Sequence, residues 1–305
     1  MNEQSKLEAF EAARPRLMGI AYRLLGSLAE AEDAVQDVAA KWFAGNAERI
    51  EEPAAWLTRL CTNRCLDLLK SAQRSRSDYV GPWLPDQLLV DPAPDAAEQL
   101  EVASSLTTAF LLLLERLTPK ERAAYLLHDI FGLSFKEVAE TLGLQETGCR
   151  KLASRARKLV TQERVRFVPD AARQAELLAL FRAAVGEGAL APLLAALTED
   201  VTLRADSGGK VTAVRKVLSG RAAVGRFLGK GLYRFWSPAT FETLAVNGGQ
   251  GLLVRKGAEI YAVVTFGFTA QGRIADIFIL RNPEKIARVL ERRAAGGRDG
   301  ALLLH

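Results

Sequence analysis

Apolar residues recur at steps of three and four from residue 5 to 76, without β-branched runs, and this spacing predicts an all-helical region. The same period returns from 98 to 167. Between them, residues 77–97 carry Pro82, Pro85, Pro92 and Pro94, resist regular structure and read as a linker. Past Pro169 the texture changes: helices near 170–186 and 189–198 lead into short runs of β-branched and aromatic residues. Candidate strands are VTLRA at 201, VTAVRKV at 211, ATFETLAV at 239, GLLVRK at 251, EIYAVVTFGFTA at 259 and GRIADIFILR at 272. Glycine turns separate several of them, at Ser207-Gly208-Gly209, Asn247-Gly248-Gly249 and Gln271-Gly272. A helix near 219–231 interrupts the strands, and another begins at Pro283 with proline in its first turn. Helices followed by a mostly antiparallel sheet predict an α+β domain. The expected organisation is two all-helical domains (1–76 and 98–168) around the 77–97 linker, an α+β domain over 169–293, and a flexible tail at 294–305.

Within the second helical region, Ser134 with Glu137 three residues on gives the capping-box pattern, and Phe135, Val138, Ala139 and Leu142 make one apolar stripe. Gly143 ends that helix where a left-handed backbone is needed, and Leu144 plugs the corner. The next helix, from about Glu146 to Val160, has Cys149, Leu152, Ala153, Ala156 and Leu159 on one side. Thr147, Arg150, Lys151, Ser154, Arg155 and Lys158 share the opposite face. A helix with cations and hydroxyls on one side and small apolar residues on the other suits a major groove. The bland alternative is a solvated basic face. The capped helix and tight glycine turn before it favour DNA.

The predicted helix from Pro53 to about Ser75 repeats the arrangement. Leu57, Leu60, Cys61 and Leu68 form the buried stripe, and Arg59, Asn63, Asp67, Lys70 and Arg74 lie opposite. Asn hydrogen-bonds base edges and Asp accepts from exocyclic amines, so these are unusual choices for solubility alone. Trp56 reads as a core residue, with stacking on an unpaired base as the alternative. Upstream, Glu30, Glu32, Asp33 and Asp37 make an acidic face that repels DNA and suits a basic protein partner.

Composition narrows the classes further. At 305 residues the chain has room for two or three small domains, and its net charge of +5 is compatible with nucleic acid without being diagnostic. Acids in the first turns and no apolar h-region predict no signal peptide, and the apolar runs are too short for a membrane span. Cys61 and Cys65, four apart, read as small core residues in a reducing cytoplasm rather than metal ligands, and the histidines give no metal spacing. No metal or cofactor is expected.

AYRLLGSLAEAEDAVQDV (21–38), PAAWLTRLCTNRCLDLLK (53–70) and LTPKERAAYLLHDIFGLSFKEVAETLGL (117–144) resemble regions two and four of extracytoplasmic-function sigma factors, over about half the chain. The resemblance implies a region 2 helical bundle and a region 4 helix-turn-helix, with core RNA polymerase (β′ and β subunits) and promoter DNA as partners. It places Asp33, Gln36 and Asp37 against the β′ coiled coil, and Asn63 and Asp67 (with Arg59, Lys70 and Arg74 beside them) at the −10 element. It places residues 145–155 at the −35 element, beginning with Gln145, although Gln145-Glu146-Thr147-Gly148-Cys149-Arg150 departs from the commoner Glu-Gly-Thr-Val pattern.

WLPDQL (83–88, with Trp83, Leu84 and Pro85), Asp206-Ser207-Gly208-Gly209-Lys210 and Asn282-Pro283-Glu284-Lys285-Ile286 are similar to motifs of the subgroup with a fused SnoaL-like domain. That resemblance implies a third domain of nuclear transport factor 2-like cone fold, regulating the sigma regions in cis. The Trp83-Leu84 pair offers apolar surface in a proline-stiffened linker, and docking it on the 206–210 and 282–286 segments would fix the separation of the DNA-reading domains. The tail's only histidine is His305, so catalysis is not expected. Asp206, Tyr261 and Asp276 are the candidates to face a cavity, the alternatives being a turn aspartate, a core tyrosine and an outward strand residue, and a small-molecule ligand stays open. The competing function is a DNA-binding regulator whose SnoaL-like domain senses a ligand or acts as an enzyme.

Overall fold

The computed structural model describes residues 2–45, 50–77, 79–88, 104–163 and 167–294, without the side chains of 72–77, 163 and 292–294. Linker residues 89–97, residues 98–103 and tail residues 295–305 lie outside the described residues. Contacts divide the chain into two units, one of Met1–Ser77 with Leu113–Glu163, the other of Asp78–Leu112 with Arg164–Gly297.

The first unit is all helix. Three helices, α1 (Glu3–Leu25), α2 (Leu28–Ala44) and α3 (Pro53–Ser77), pack on one another and bury Leu17, Ile20, Trp42, Leu57 and Cys61. The α1–α2 turn is set by Gly26 in the left-handed region (φ 68°) and by Ser27, whose side chain accepts from Glu30 N. Cys61 and Cys65 are buried free thiols; Cys61 contacts the Leu17 carbonyl, and its hydrogen bond, then burial, raises the Cys65 thiol well above its ordinary pKa. A short helix α4 (Thr108–Leu114), most of which belongs to the second unit, precedes α5 (Pro119–Tyr125), which widens into a π turn over Leu126–Ile130. Then come α6 (Phe135–Leu142) and α7 (Glu146–Glu163).

The second unit is α+β. After α8 (Ala171–Arg182) and α9 (Leu190–Ala196), the strands β1 (Leu197–Asp206), β2 (Leu218–Ser219), β3 (Thr240–Val246), β4 (Gly249–Lys256), β5 (Glu259–Phe268) and β6 (Ile274–Leu280) form one sheet of order β2-β1-β6-β5-β4-β3. Only the β1–β6 pair is parallel. Helices α10 (Arg221–Arg226) and α11 (Tyr233–Trp236), joined by a π turn, pack with α8 and α9 over one face, and α12 (Pro283–Ala294) follows β6.

Strand parity gives this sheet two working faces. Ala205, Ile277 and Ile279 turn toward the helices and the main core. Their neighbours turn the other way: Phe278 packs with Leu84 and Ala109, and Leu280 with Ile286. The Asn247-Gly248 turn between β3 and β4 has φ 49° and 71°, the two left-handed residues that a tight hairpin requires.

One expected strand is absent. Residues 211–217 form no ladder, and only Leu218–Ser219 pairs, with Thr202 and Leu203 of β1. Two of the apolar residues that suggested a strand, Ala213 and Val214, line a cavity instead. The interrupting helical segment also runs further than the 219–231 expected, from Arg221 to Trp236.

Candidate functional site

The helix-turn-helix is built as its residues dictate. Ser134 and Glu137 cap α6 reciprocally, Glu137 Oε2 accepting from Ser134 N at 2.7 Å, and these hydrogen bonds hold the Glu137 carboxyl below its ordinary pKa. Gly143 closes the helix at φ 62°, and Leu144 N donates to the Ala139 carbonyl. Cys149, Ala153, Ala156 and Val160 then bury the inner side of α7. Gln145, Thr147, Arg150, Lys151, Ser154, Arg155 and Lys158 are all exposed. Two of the cations are held locally: Arg155 Nε lies 2.7 Å from Glu121 Oε1 on α5, and Arg150 stacks on Phe135 at 4.6 Å.

On α3 the inner side is wider than the four expected residues. Leu57, Cys61, Cys65, Leu66 and Leu69 are buried, while Leu60 and Leu68 are only half-buried. Trp56 packs against Trp42 with centroids 5.5 Å apart. Arg59, Asp67 and Lys70 are exposed, and Lys70 pairs with Asp67 at 2.8 Å, which lowers the Asp67 pKa. The Arg74 side chain lies outside the described residues. Asn63 is half-buried, and its Nδ2 donates to the Thr141 carbonyl of α6 at 3.2 Å. The outer side of α3 and the helix-turn-helix therefore meet, which the sequence did not indicate. On α2, Asp33 and Gln36 are exposed, whereas Asp37 is tied to Arg64 Nε at 2.7 Å.

The second constellation joins the described linker, residues 79–88, to the α+β domain. Asp206, at the end of β1, is fully buried. Its Oδ1 accepts from Tyr79 Oη at 2.6 Å and Gly208 N at 3.0 Å; its Oδ2 accepts from Leu84 N at 3.0 Å and Lys285 Nζ at 2.9 Å. Lys285 also donates to the Leu84 carbonyl and lies 4.6 Å from the Trp83 ring centroid. Asn282 caps α12 through Oδ1 and donates from Nδ2 to Tyr79 Oη at 2.9 Å. Pro85 is buried, and Pro283 is exposed at the first position of α12. Burial, then the Asp206 carboxylate, pushes the Tyr79 phenol far up.

The 206–210 loop fits only with glycine at its bend. Gly208 and Gly209 have φ 59° and 73°, and a Cβ on them would sit 2.5 Å from Asn282 Nδ2 and 2.9 Å from Val80 Cβ. Lys210 does not reach the linker and pairs with Glu284 of α12. Further along, Leu88 N donates to Asn247 Oδ1 at 2.6 Å and Asn247 N returns a bond to the Leu88 carbonyl.

Residues 9–75 match the family Sigma-70 region 2, and residues 107–160 match Sigma-70, region 4. The chain is 36% identical to the ECF RNA polymerase sigma factor SigJ of Mycobacterium tuberculosis, over 95% of this chain and 96% of that one. This chain is an extracytoplasmic-function sigma factor. It is also 30% identical to the probable ECF RNA polymerase sigma factor SigI of Mycobacterium tuberculosis, over 91% of this chain and 93% of that one. The crystal structure of the Mycobacterium tuberculosis SigJ protein superposes with a TM-score of 0.68 at 32% identity, covering 92% of this chain and 98% of that one. The sigma factor thus combines helical regions 2 and 4 with a C-terminal α+β domain consistent with a SnoaL-like fold, and its function is promoter-specific initiation with RNA polymerase. Among the described residues, no helix is long and apolar enough to cross a membrane.

Four residues of the sigma factor's dock escaped the sequence reading: Tyr79, Asp86, Asn247 and Arg288. Asp86 is buried, with Arg288 Nη1 at 3.4 Å and Lys285 Nζ at 3.8 Å. Asn247 was legible only as a turn residue. Two of the cavity candidates take their alternative places: Asp206 holds the linker from the end of β1, at the turn, and Asp276 lies against Gly267 and bonds Thr202 and Arg204. Tyr261 does line a cavity.

Proposed function

We propose that the described linker is a strap through which the C-terminal domain controls this sigma factor in cis. The observation that carries this reading is Asp206, a fully buried carboxylate whose hydrogen bonds to Tyr79 and Leu84 hold the strap. The strap is the chain between the two DNA-reading regions. Tied along 79–88, it has a fixed reach instead of the variable reach of a free coil. Promoter spacing then becomes a property that docking sets.

In this reading, Gln145, Thr147, Arg150, Lys151, Ser154, Arg155 and Lys158 face the −35 element. Arg59, Asn63, Asp67, Lys70 and Arg74 face the −10 element, and Asp33, Gln36 and Asp37 face the β′ subunit, with β as a second contact. Asn63 must exchange the Thr141 carbonyl for a base edge, so α3 and α6 part when DNA is read. Asp37 must likewise leave Arg64 or present its second oxygen. The C-terminal domain works by binding, not catalysis: the acids considered for a general base are spent on the strap and on Thr202 and Arg204. The sigma factor works in the cytoplasm, where its polymerase is.

In vitro transcription on templates of graded −10 to −35 spacing tests the strap. Asp206→Asn should broaden or shift the spacing that wild type prefers, and an unchanged spacing profile would overturn cis control. Core-polymerase pull-down tests the acidic face. Asp37→Arg should bind far less than wild type, and equal retention would remove that face from the polymerase contact.

A further inference from the structure

On the helix face of the sheet, a cavity of about 220 Å³ opens among Ala205, Phe227, Trp236, Tyr261, Ile279 and Arg281, with the 212–214 segment also in its lining. Its walls are aliphatic and aromatic except at Thr212 and Arg281. That guanidinium stacks on Tyr261 at 3.8 Å and spends Nη1 on the Thr212 carbonyl. Its Nε is buried with no hydrogen-bond partner. Lys256 Nζ stands 5.2 Å from the Tyr261 ring centroid, so a second cation shares that ring. No acidic residue lines the cavity.

We propose that this cavity is a binding site for a small aromatic carboxylate. A buried guanidinium N–H without an acceptor is costly to keep, and a carboxylate supplies two oxygens to the Nε–Nη2 edge that Thr212 leaves unused. The cations disfavour an ammonium ligand. Tyr261, Trp236 and Phe227 present ring surface, which a flat aromatic body covers in offset or edge-on contact. At roughly seven times the ~30 Å³ share of a liquid water, the space takes one or two fused rings and excludes larger drug-sized molecules. The lining holds no carboxylate, histidine, lysine or cysteine, and the proposal is for binding alone.

The site is independent of promoter reading and is tested without it. Isothermal titration of the full-length protein with 2-naphthoate, 2-naphthamide and 2-naphthylmethylamine separates shape from charge. The carboxylate should bind at least about tenfold more tightly than the amide, and the amine least, because a charge-assisted fork is lost. Arg281→Gln should weaken the carboxylate at least about tenfold, with Arg281→Lys in between. Ala213→Phe, which puts a ring into the lining while keeping Arg281, should abolish binding of the carboxylate and amide together. Circular dichroism and melting check that each variant is folded; if Arg281→Gln fails to fold, the amide comparison and Ala213→Phe decide. Absence of carboxylate binding at millimolar concentration, equal affinity for the amide, or affinity unchanged in a folded Ala213→Phe protein would each overturn the proposal.

Discussion

Lys285 Nζ lies 2.9 Å from Asp206 Oδ2, the lysine side chain 10% exposed and the aspartate fully sealed. A buried pair costs desolvation, which is recovered here because both partners also bond the strap, Lys285 at the Leu84 carbonyl and Asp206 at the Leu84 amide. Removing one partner strands the other. Lys285→Met should destabilise the C-terminal unit by about 3 kcal/mol in urea titrations, and Asp206→Asn by a similar amount. The double variant should cost less than the sum of the singles, since neither charge is then left alone.

The strap should weaken in strong alkali. Tyr79 donates to the Asp206 carboxylate, and burial followed by that carboxylate raises its phenol above the ordinary value of 10. A folded-state pKa raised above the unfolded one contributes stability that is fully present below pH 10 and is lost as pH climbs through the folded value. The stability difference between wild type and Tyr79→Phe should therefore be constant near neutrality and shrink above pH 10. Denaturant midpoints across that range check it; a constant difference would show that the phenol proton is irrelevant to the dock.

Ser134→Ala removes one half of the capping box on α6 and should cost about 1 kcal/mol. Glu137 is held below its ordinary carboxyl pKa of 4.5 by Ser134, so its contribution is present above that pH and lost as pH falls through the folded value. The gap between wild type and Ser134→Ala, followed by thermal melting, should narrow on acidification.

Lys151 is exposed on the outer side of α7, whereas Arg155 is anchored to Glu121. If Lys151 meets a phosphate, Lys151→Ala lowers holoenzyme affinity evenly across −35 sequences and reduces the log–log salt slope by about 1. Glu121→Gln frees Arg155 and should raise affinity while leaving the sequence ranking unchanged. Fluorescence anisotropy at several salt concentrations measures both.

The helix-turn-helix was legible because its instructions are local: Ser134 and Glu137 start α6, Gly143 ends it, and the period of three and four on α7 sorts inner from outer residues. The 211–217 segment misled for the same local reason. Val211, Val214 and Val217 favour a strand, but a strand needs a partner, and only Leu218–Ser219 finds one on β1. Contacts set by distant sequence were out of reach. Nothing near Asn63 announces the Thr141 carbonyl, nothing near Asp37 singles out Arg64, and Asn247 advertises its backbone turn but not its grip on Leu88. The 83–88, 206–210 and 282–286 motifs were visible as segments, while the bonds joining them, centred on one carboxylate and one ammonium, belong to the folded chain.

Leu84 and Lys285 are separated by 201 positions in the chain. Synthesis at 5–20 residues per second puts roughly 10–40 s between the ribosome's passage over the strap and over the helix that clasps it. Once residue 163 is made, α1–α3 and α5–α7 are complete, and no Lys285 yet exists to hold Leu84. Each newly made molecule therefore passes through a period in which these helices are complete and its clasp is still unwritten, so the strap is clasped only when α12 leaves the ribosome.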